Sequence, residues 1–271
     1  ATAGRTTLNG EGLQHEDGHS PLLAVTNPAV VHYDPAWGFE IGHIVRDGLR
    51  RMFGEDPENV FYYLTVYNEP YPQPAEPEGV DVDGLLKGLY LYRPAESPGE
   101  DVPRAQVLAS GVAMNWALEA QRRLAEEWQV TADVWSATSW TELRREAVAT
   151  DEWNLMHPQE EPRVPYVTRR LSQADGPVVA VSDYMRAVPD QVAPYVSQDW
   201  MSLGTDGFGL SDTRAALRRH FKVDAQSVVI AVLTLLARRG EVSWDVVNEA
   251  HAKYRLDDVN ATTAAEAGGE S

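Results

Sequence analysis

The sequence predicts an α/β protein whose larger part contains a mostly parallel sheet. Over about 180 residues, short runs of β-branched and aromatic residues alternate with segments whose apolar residues recur at helical spacing. The chain has 271 residues, of which 43% are hydrophobic, and this suits one large folded domain or two of ordinary size. A proline-dense stretch at 70–79 divides the chain into two unequal parts.

The shorter, N-terminal part begins as a loop and is predicted to contain one helix and one strand. Residues 39–53 carry apolar side chains along one helical stripe, and Gly54 supplies the end of that helix. The run VFYYLTVYN at 60–68 is continuously β-branched and aromatic, which predicts a strand buried on both faces. The four prolines within 70–79 remove backbone donors and favour a stiff, extended segment. We therefore interpret this stretch as a linker between domains.

The longer part alternates strands with helices and ends in two helices. The predicted strands are 87–93, 106–110, 132–138, 177–182 and 200–204. The predicted helices between them are 112–128, 141–155, 165–171 and 184–196, the last kinked at Pro189. A tight turn at 204–209 should precede a helix that begins near Ser211, and a phosphate cradle is the weaker interpretation of that turn. Asp224 and Ser243 are N-caps for the two final helices, and 260–271 is a polar tail.

Charge and composition exclude several classes of partner. The formal net charge is −18, so neither nucleic acid nor an anionic membrane surface is an expected partner. The Arg218-Arg219 and Arg238-Arg239 doublets are interpreted as solvated charges at helix ends. The chain has no cysteine, which excludes disulfides and thiolate catalysis. No signal segment opens the sequence, and a cytoplasmic location is expected.

The string His15-Glu16-Asp17-Gly18-His19 matches the H-E-x-x-H pattern of zinc peptidases. That chemistry needs both imidazoles on one face of a regular helix. Glycines surround and interrupt this string and a proline follows it, and each glycine opposes helix by roughly 1 kcal/mol relative to Ala. The sequence therefore predicts a loop. Two functions stay open for it: a catalytic loop that uses imidazole for proton transfer, or a solvated polar turn.

Five blocks of the sequence are similar to one enzyme family. The blocks are GRTTLNGEGLQHEDGHS, NVFYYLTVYNEPYPQPAEPEG, DVWSATSWTELRREA, HPQEEPRVPYVTR and LGTDGFGLSDTR. The chain resembles the C-terminal part of homodimeric-type pyruvate dehydrogenases, in an actinobacterial form, from residue 1 to about 259. These are the thiamine-diphosphate-dependent, decarboxylating components of the pyruvate dehydrogenase complex. The resemblance implies that the chain is a piece of a longer enzyme.

The resemblance also implies a fold and a division into domains. Residues 1–78 would be the end of a transketolase-like pyrimidine-binding domain. Residues 79–259 would be a transketolase-type C-terminal α/β domain that takes part in dimer assembly, with 260–271 outside it. The proline-dense stretch, identified from composition alone, falls where the family changes domain.

The family's active-centre histidine corresponds to His15 by this resemblance, since its pattern is glycine, two residues, then histidine. The implied role is to donate a hydrogen bond and deliver a proton near the substrate. Glu16 and Asp17 are possible supporting residues that would orient the imidazole or raise its pKa. His19 is expected to be structural, although it belongs to the same candidate group.

The family's cofactors are thiamine diphosphate and Mg²⁺, but its diphosphate motif, Gly-Asp-Gly followed by Asn, is absent here. The resemblance thus places those ligands upstream and predicts that this chain alone is inactive. The implied partners are a second copy, the N-terminal part of the same enzyme, and the dihydrolipoyl acetyltransferase component. The alternatives are a non-catalytic dimerisation or docking module, a related 2-oxo acid dehydrogenase, or a transketolase.

Overall fold

The structure is a computed structural model that describes residues 3–96, 102–259 and 261. Two sheets organise these residues, one of two strands and one of five. The polar tail predicted for 260–271 lies outside the described residues, apart from Ala261. The predicted α/β class with a mostly parallel sheet is confirmed.

The smaller sheet belongs to the N-terminal part. After helix α1 (Ser20–Val25), strand β1 (Val30–Tyr33) pairs in parallel with strand β2 (Phe61–Leu64), and helix α2 (Gly38–Phe53) connects the two strands. Strand β1 was not predicted from the sequence. The prediction that β2 is buried on both faces is wrong, because Phe61 is 51% exposed and the strand has only one neighbour in the described part of the chain.

The larger sheet has the strand order β3-β5-β4-β6-β7. Its strands are β3 (Tyr90–Arg93), β4 (Arg104–Ala109), β5 (Thr131–Ser136), β6 (Val178–Val181) and β7 (Trp200–Leu203). The four strands β5, β4, β6 and β7 are parallel, whereas the edge strand β3 runs antiparallel to β5. The central strands β4 and β6 are buried almost throughout, because helices cover both faces.

Two hydrophobic clusters lie on opposite faces of this sheet. Helices α4 (Ala113–Trp128), α8 (Ala225–Arg238) and α9 (Trp244–Tyr254) cover one face. Helices α5 (Trp140–Met156) and α6 (Tyr166–Leu171) cover the other. Strand β4 shows the alternation directly, since Ala105, Val107 and Ala109 join the first cluster while Leu108 joins the second.

Three predicted elements of the larger part differ from the structure in type or by three residues at one end. The strand predicted at 87–93 begins only at Tyr90, because helix α3 (Val82–Lys87) ends at the left-handed Gly88. The segment 184–196 is not an α-helix and contains two 3-10 turns, each with a proline near its start, where the missing N–H does no harm.

The helix predicted near Ser211 is α7 (Arg214–Phe221). It begins three residues later because the Thr213 side chain accepts the N–H of Ala216 and caps it. The stretch Arg214–Arg238 is apolar and long enough to span a membrane by length and composition, but 78% of its apolar window is buried within the fold.

The proline-dense segment 70–79 forms neither helix nor strand and lies against the start of α2. The Tyr71 hydroxyl donates to the Ala36 carbonyl at 2.6 Å, and Gln73 Oε1 accepts the N–H of Gly38 at 2.9 Å. These two hydrogen bonds anchor the segment to the start of α2.

The two parts of the chain are also joined by one buried carboxyl group. Glu40, near the start of α2, accepts the N–H groups of Ala36 and Trp37. It also accepts the hydroxyls of Tyr90 on β3 and Ser136 on β5, at 2.8 and 2.6 Å. Burial raises the pKa of Glu40, which these hydrogen bonds oppose. Four donors from both parts thus converge on a fully buried side chain.

Candidate functional site

The loop that carries the four candidate residues is irregular. A 3-10 turn at Leu13–His15 follows Gly12, and its three side chains are exposed. Helix α1 starts only at Ser20, so His15 and His19 do not share the face of a regular helix. Among the described residues, no group of three or more His, Cys, Asp or Glu side chains could hold a metal ion. The predicted loop is confirmed.

This loop forms one wall of an open cleft of about 470 Å³, and the end of β2 forms the other. The polar residues that line the cleft are Gln14, His15, Glu16, Asp17, His19, Ser20, Tyr63 and Thr65. A cleft of this volume can admit a small polar substrate. The loop presents two exposed imidazoles at this cleft, those of His15 and His19.

Asp17 shapes the loop by capping α1. Its Oδ1 accepts the backbone N–H of His19 at 3.1 Å and that of Ser20 at 3.0 Å, and its backbone forms a bridge with Gly4. A carboxylate at a helix N-terminus satisfies donors that have no partner within the helix. His19 occupies the N-cap position itself, with its side chain exposed.

Glu16 points away from solvent and is only 5% exposed. Neither of its carboxyl oxygens has a hydrogen-bond partner among the described residues. Burial raises the pKa of Glu16, and the Arg5 guanidinium opposes that rise. The carboxyl lies against Gly209, where an added Cβ would stand 1.8 Å from Oε2. Glu16 therefore borders the cleft, but its carboxyl is buried against Gly209.

Sequence reasoning missed a buried polar group beneath the cleft. Asp34, directly after β1, accepts the hydroxyls of Thr65 and Tyr67, both at 2.6 Å. His32 on β1 lies 3.5 Å from the Thr65 hydroxyl, and burial lowers its pKa to about 4. The His32 imidazole is thus neutral at pH 7. The signal in the sequence was the run VVHYD at 30–34, a short strand followed at once by a carboxylate.

A second buried carboxyl follows β6 and holds the N-terminal segment. Asp183 accepts the N–H of Thr6 at 3.1 Å and its hydroxyl at 2.8 Å. Burial raises the pKa of Asp183 to about 7. Gly4 lies over this carboxyl with φ of +79°, and a Cβ there would stand 2.1 Å from it. The chain that leads into the candidate loop is therefore held by the larger part.

Helix α7 supplies two arginines whose surroundings contradict the prediction of solvated charges. Arg218 pairs with Glu69 and lies over the Trp116 ring. Arg219 is fully buried, with its Nε 2.5 Å from Asp224 and its Nη1 2.9 Å from the Tyr254 carbonyl. Each arginine has a partner distant in sequence, and the Arg-Arg doublet does not indicate which residues those partners are.

The turn at 204–209 is not shaped as a phosphate cradle. The Asp206 carboxylate accepts the backbone N–H and the Nε of Arg186, at 2.9 and 2.5 Å. The Thr205 carbonyl accepts from the Arg5 guanidinium. Further along, the Asp212 carbonyl accepts the N–H of Gly10 at 3.2 Å. This segment contacts the candidate loop, a neighbourhood that the sequence pattern did not indicate.

Comparisons with known proteins agree with this architecture. A family model described as the transketolase-like TK C-terminal domain matches residues 88–224. A second, described as the pyruvate dehydrogenase E1 component middle domain, matches residues 1–74. Among solved structures, transketolase from Leishmania mexicana is 18% identical with a TM-score of 0.59, covering 88% of this chain and 30% of that chain. A split gene transketolase, described as an inactive β4 tetramer, is 17% identical with a TM-score of 0.60, covering 87% and 65%. At these identities the likeness shows the fold alone.

The fold and the model that matches half of the chain define its class: the chain belongs to the transketolase-like C-terminal domain family. More particularly, its sequence is 63% identical over 261 residues to the pyruvate dehydrogenase E1 component of Mycolicibacterium smegmatis, 96% of this chain and 28% of that protein. The E1 component of Escherichia coli K12 is 49% identical over 257 residues, 94% of this chain and 28% of that protein. The predicted resemblance to pyruvate dehydrogenases is confirmed, and the chain spans about 28% of the length of these relatives.

Proposed function

We propose that the chain is the C-terminal part of a pyruvate dehydrogenase (acetyl-transferring), in which His15 donates a hydrogen bond and a proton to the reacting substrate. The parent enzyme would decarboxylate pyruvate on thiamine diphosphate and transfer the acetyl unit to a lipoyl group. The observation that carries the proposal is the exposed imidazole of His15 at the wall of a small polar cleft. The high identity to E1 components supports the choice of reaction.

The role of His15 follows from what an imidazole can do at neutral pH. An imidazolium donates a hydrogen bond to an oxygen that gains negative charge, and it transfers a proton when that oxygen needs one. A donor placed before the reaction starts stabilises that charge without reorganisation. The exposed turn at Leu13–His15 leaves the ring free to reach a substrate in the cleft.

The described residues do not fit the diphosphate and Mg²⁺ ends of the cofactor. They hold no group of carboxylates and histidines able to take a metal, and the turn at 204–209 already binds Arg5 and Arg186. Thiamine diphosphate supplies the carbanion for this chemistry when bound. Residues of this chain would supply only the wall around the substrate, so we propose that the chain alone is inactive. A similar fold in a split gene transketolase is described as an inactive tetramer.

The proposal includes a division of the chain and a set of partners. Residues 1–78 would complete a pyrimidine-binding domain, and 79–259 would form the C-terminal domain. The partners would be the N-terminal part of the same enzyme, a second copy in a homodimer, and the dihydrolipoyl acetyltransferase component, all in the cytoplasm. Large apolar side chains are exposed on α2 and β2; Phe53 is 76% exposed and Phe61 is 51% exposed. This exposure supports a partner that covers these side chains.

Reconstitution of the two parts tests the proposal. Pyruvate decarboxylation is measured with thiamine diphosphate and Mg²⁺ for this chain, for the N-terminal part, and for their mixture. We expect turnover only in the mixture, with a dimer of the paired parts by light scattering. Turnover by this chain alone would contradict the proposed division. A mixture that associates but stays inactive would favour a non-catalytic dimerisation or docking module. A mixture that turns over another 2-oxo acid or a ketose phosphate, and not pyruvate, would favour the related enzymes.

A further inference from the structure

The turn that carries His15 has no buried side chain of its own. Leu13, Gln14 and His15 are all exposed, so contacts on either side of the turn must determine where the imidazole stands. On one side, the N–H of Gly10 donates to the Asp212 carbonyl. On the other, the buried Glu16 side chain lies against Gly209. Both contacts are made to the segment 204–212 of the larger part.

Of these two contacts, the one made by Glu16 adjoins the turn directly. Its backbone N–H donates to the Leu13 carbonyl at 3.2 Å and closes the turn. Its side chain fills the space left by the missing side chain of Gly209, where a Cβ would stand 1.8 Å from Oε2 and 2.6 Å from Cβ of Glu16. Gly209 has an ordinary negative or extended φ, so it is this close approach and not backbone conformation that requires glycine.

The carboxyl of Glu16 is buried at the edge of the cleft. Both oxygens are buried and lack hydrogen-bond partners among the described residues. The neighbouring guanidinium of Arg5 donates to the Thr205 carbonyl. Burying an ionised carboxylate without hydrogen-bond partners is unfavourable. Burial raises the pKa in agreement with this geometry.

We propose that Glu16 is a positioning residue for His15, and that its contact with the bare Cα of Gly209 lets the segment 204–212 set the place of the imidazole. This inference rests on the proposed function of His15. The inference implies that the shape of the side chain at position 16 determines where the His15 imidazole lies, whereas its charge does not. A small displacement of a catalytic group is enough to slow a reaction greatly.

The first test compares two substitutions in the full-length enzyme. Glu16→Gln keeps the shape in neutral form, and we expect a kcat within about twofold of the wild type. Glu16→Ala removes the contact, and we expect kcat to fall about tenfold or more with KM for pyruvate and cofactor affinity little changed. In a His15→Ala background, adding Glu16→Ala should lower kcat by less than a further factor of about two, because the two residues act as one unit.

Gly209 supplies an independent test from the other side of the contact. Gly209→Ala should lower kcat as Glu16→Ala does, and the double variant should be no slower than Glu16→Ala alone. The matched control is Gly42→Ala on α2, where an added Cβ meets nothing within 4 Å and activity should not change.

A readout that needs no turnover separates this inference from the proposed function. The ring resonances of His15 are followed by NMR in the chain itself. We expect them to shift in Glu16→Ala and Gly209→Ala but not in Glu16→Gln, while those of His32 stay in place. If the His15 resonances shift as expected but His15→Ala keeps full activity, the proposed function is wrong and the positioning contact is still supported. If the His15 resonances are unmoved, or Glu16→Gln is as slow as Glu16→Ala, the positioning inference is overturned.

Discussion

The buried guanidinium of Arg219 gives the sharpest prediction about stability. Its side chain is 1% exposed, and it joins Asp224, the N-cap of α8, to the carbonyl of Tyr254 at the end of α9. In Arg219→Ala, the Tyr254 carbonyl loses its donor and a space the size of the side chain opens in the core. Asp224 keeps its hydrogen bonds from the N–H and the hydroxyl of Ser227, at 2.9 and 2.5 Å, but loses its counter-charge.

Breaking one partner of a buried ion pair costs about 3–5 kcal/mol. For a chain of this size, each kcal/mol shifts Tm by roughly 2–4 °C, so we expect Arg219→Ala to lower Tm by roughly 6–20 °C. The free energy of unfolding is measured by urea titration with tryptophan fluorescence as the signal. Arg238→Ala is the matched control, because Arg238 is the last residue of α8 and its side chain is exposed. This substitution should change the free energy of unfolding by no more than about 0.5 kcal/mol. Equal effects of the two substitutions would refute the buried network.

Three further predictions concern the segments that hold the loop. Asp183 has its folded-state pKa raised to about 7, so its proton is released more easily on unfolding and stability should fall as pH rises from about 4 to 7, by up to about 1.4 kcal/mol per pH unit. Asp183→Asn should flatten this slope in urea titrations across that range, and an unchanged slope would contradict the burial. Gly4→Ala should be destabilising by more than about 1 kcal/mol, since the added Cβ meets the Asp183 carboxyl at φ of +79°; a neutral effect on Tm would argue against that close approach. Asp17→Ala should cost about 0.5–2 kcal/mol through the lost cap of α1, whereas Asp17→Asn, which can still accept both N–H groups, should cost much less in the same melts.

Much of the larger part could be predicted because its elements carry strong local signals. The N-caps Asp224 and Ser243 accept the N–H groups that the sequence predicted, and the apolar runs of β4 and β6 became central strands. Predictions were wrong where position in the sheet decided the outcome. The aromatic run of β2 looks like a buried strand, yet it lies at an edge of a two-stranded sheet.

The candidate loop was predictable from its glycines, but its support was not. Glu16 and Gly209 are far apart in sequence, and nothing in either local pattern indicates that one side chain fills the space beside the other. The same holds for Asp183 and Thr6. Buried polar contacts of this kind depend on tertiary packing, so a sequence pattern indicates the residue types but not their partners.

The most direct test of the central claim is the pH dependence of decarboxylation in the full-length enzyme with His15→Gln. Glutamine can still donate a hydrogen bond but cannot deliver a proton at neutral pH. We predict a kcat lower by about 10²–10⁴-fold with cofactor affinity preserved, and the loss of one ionisation from the pH–rate profile. A profile and a kcat equal to those of the wild type would show that the imidazole at position 15 transfers no proton in this reaction.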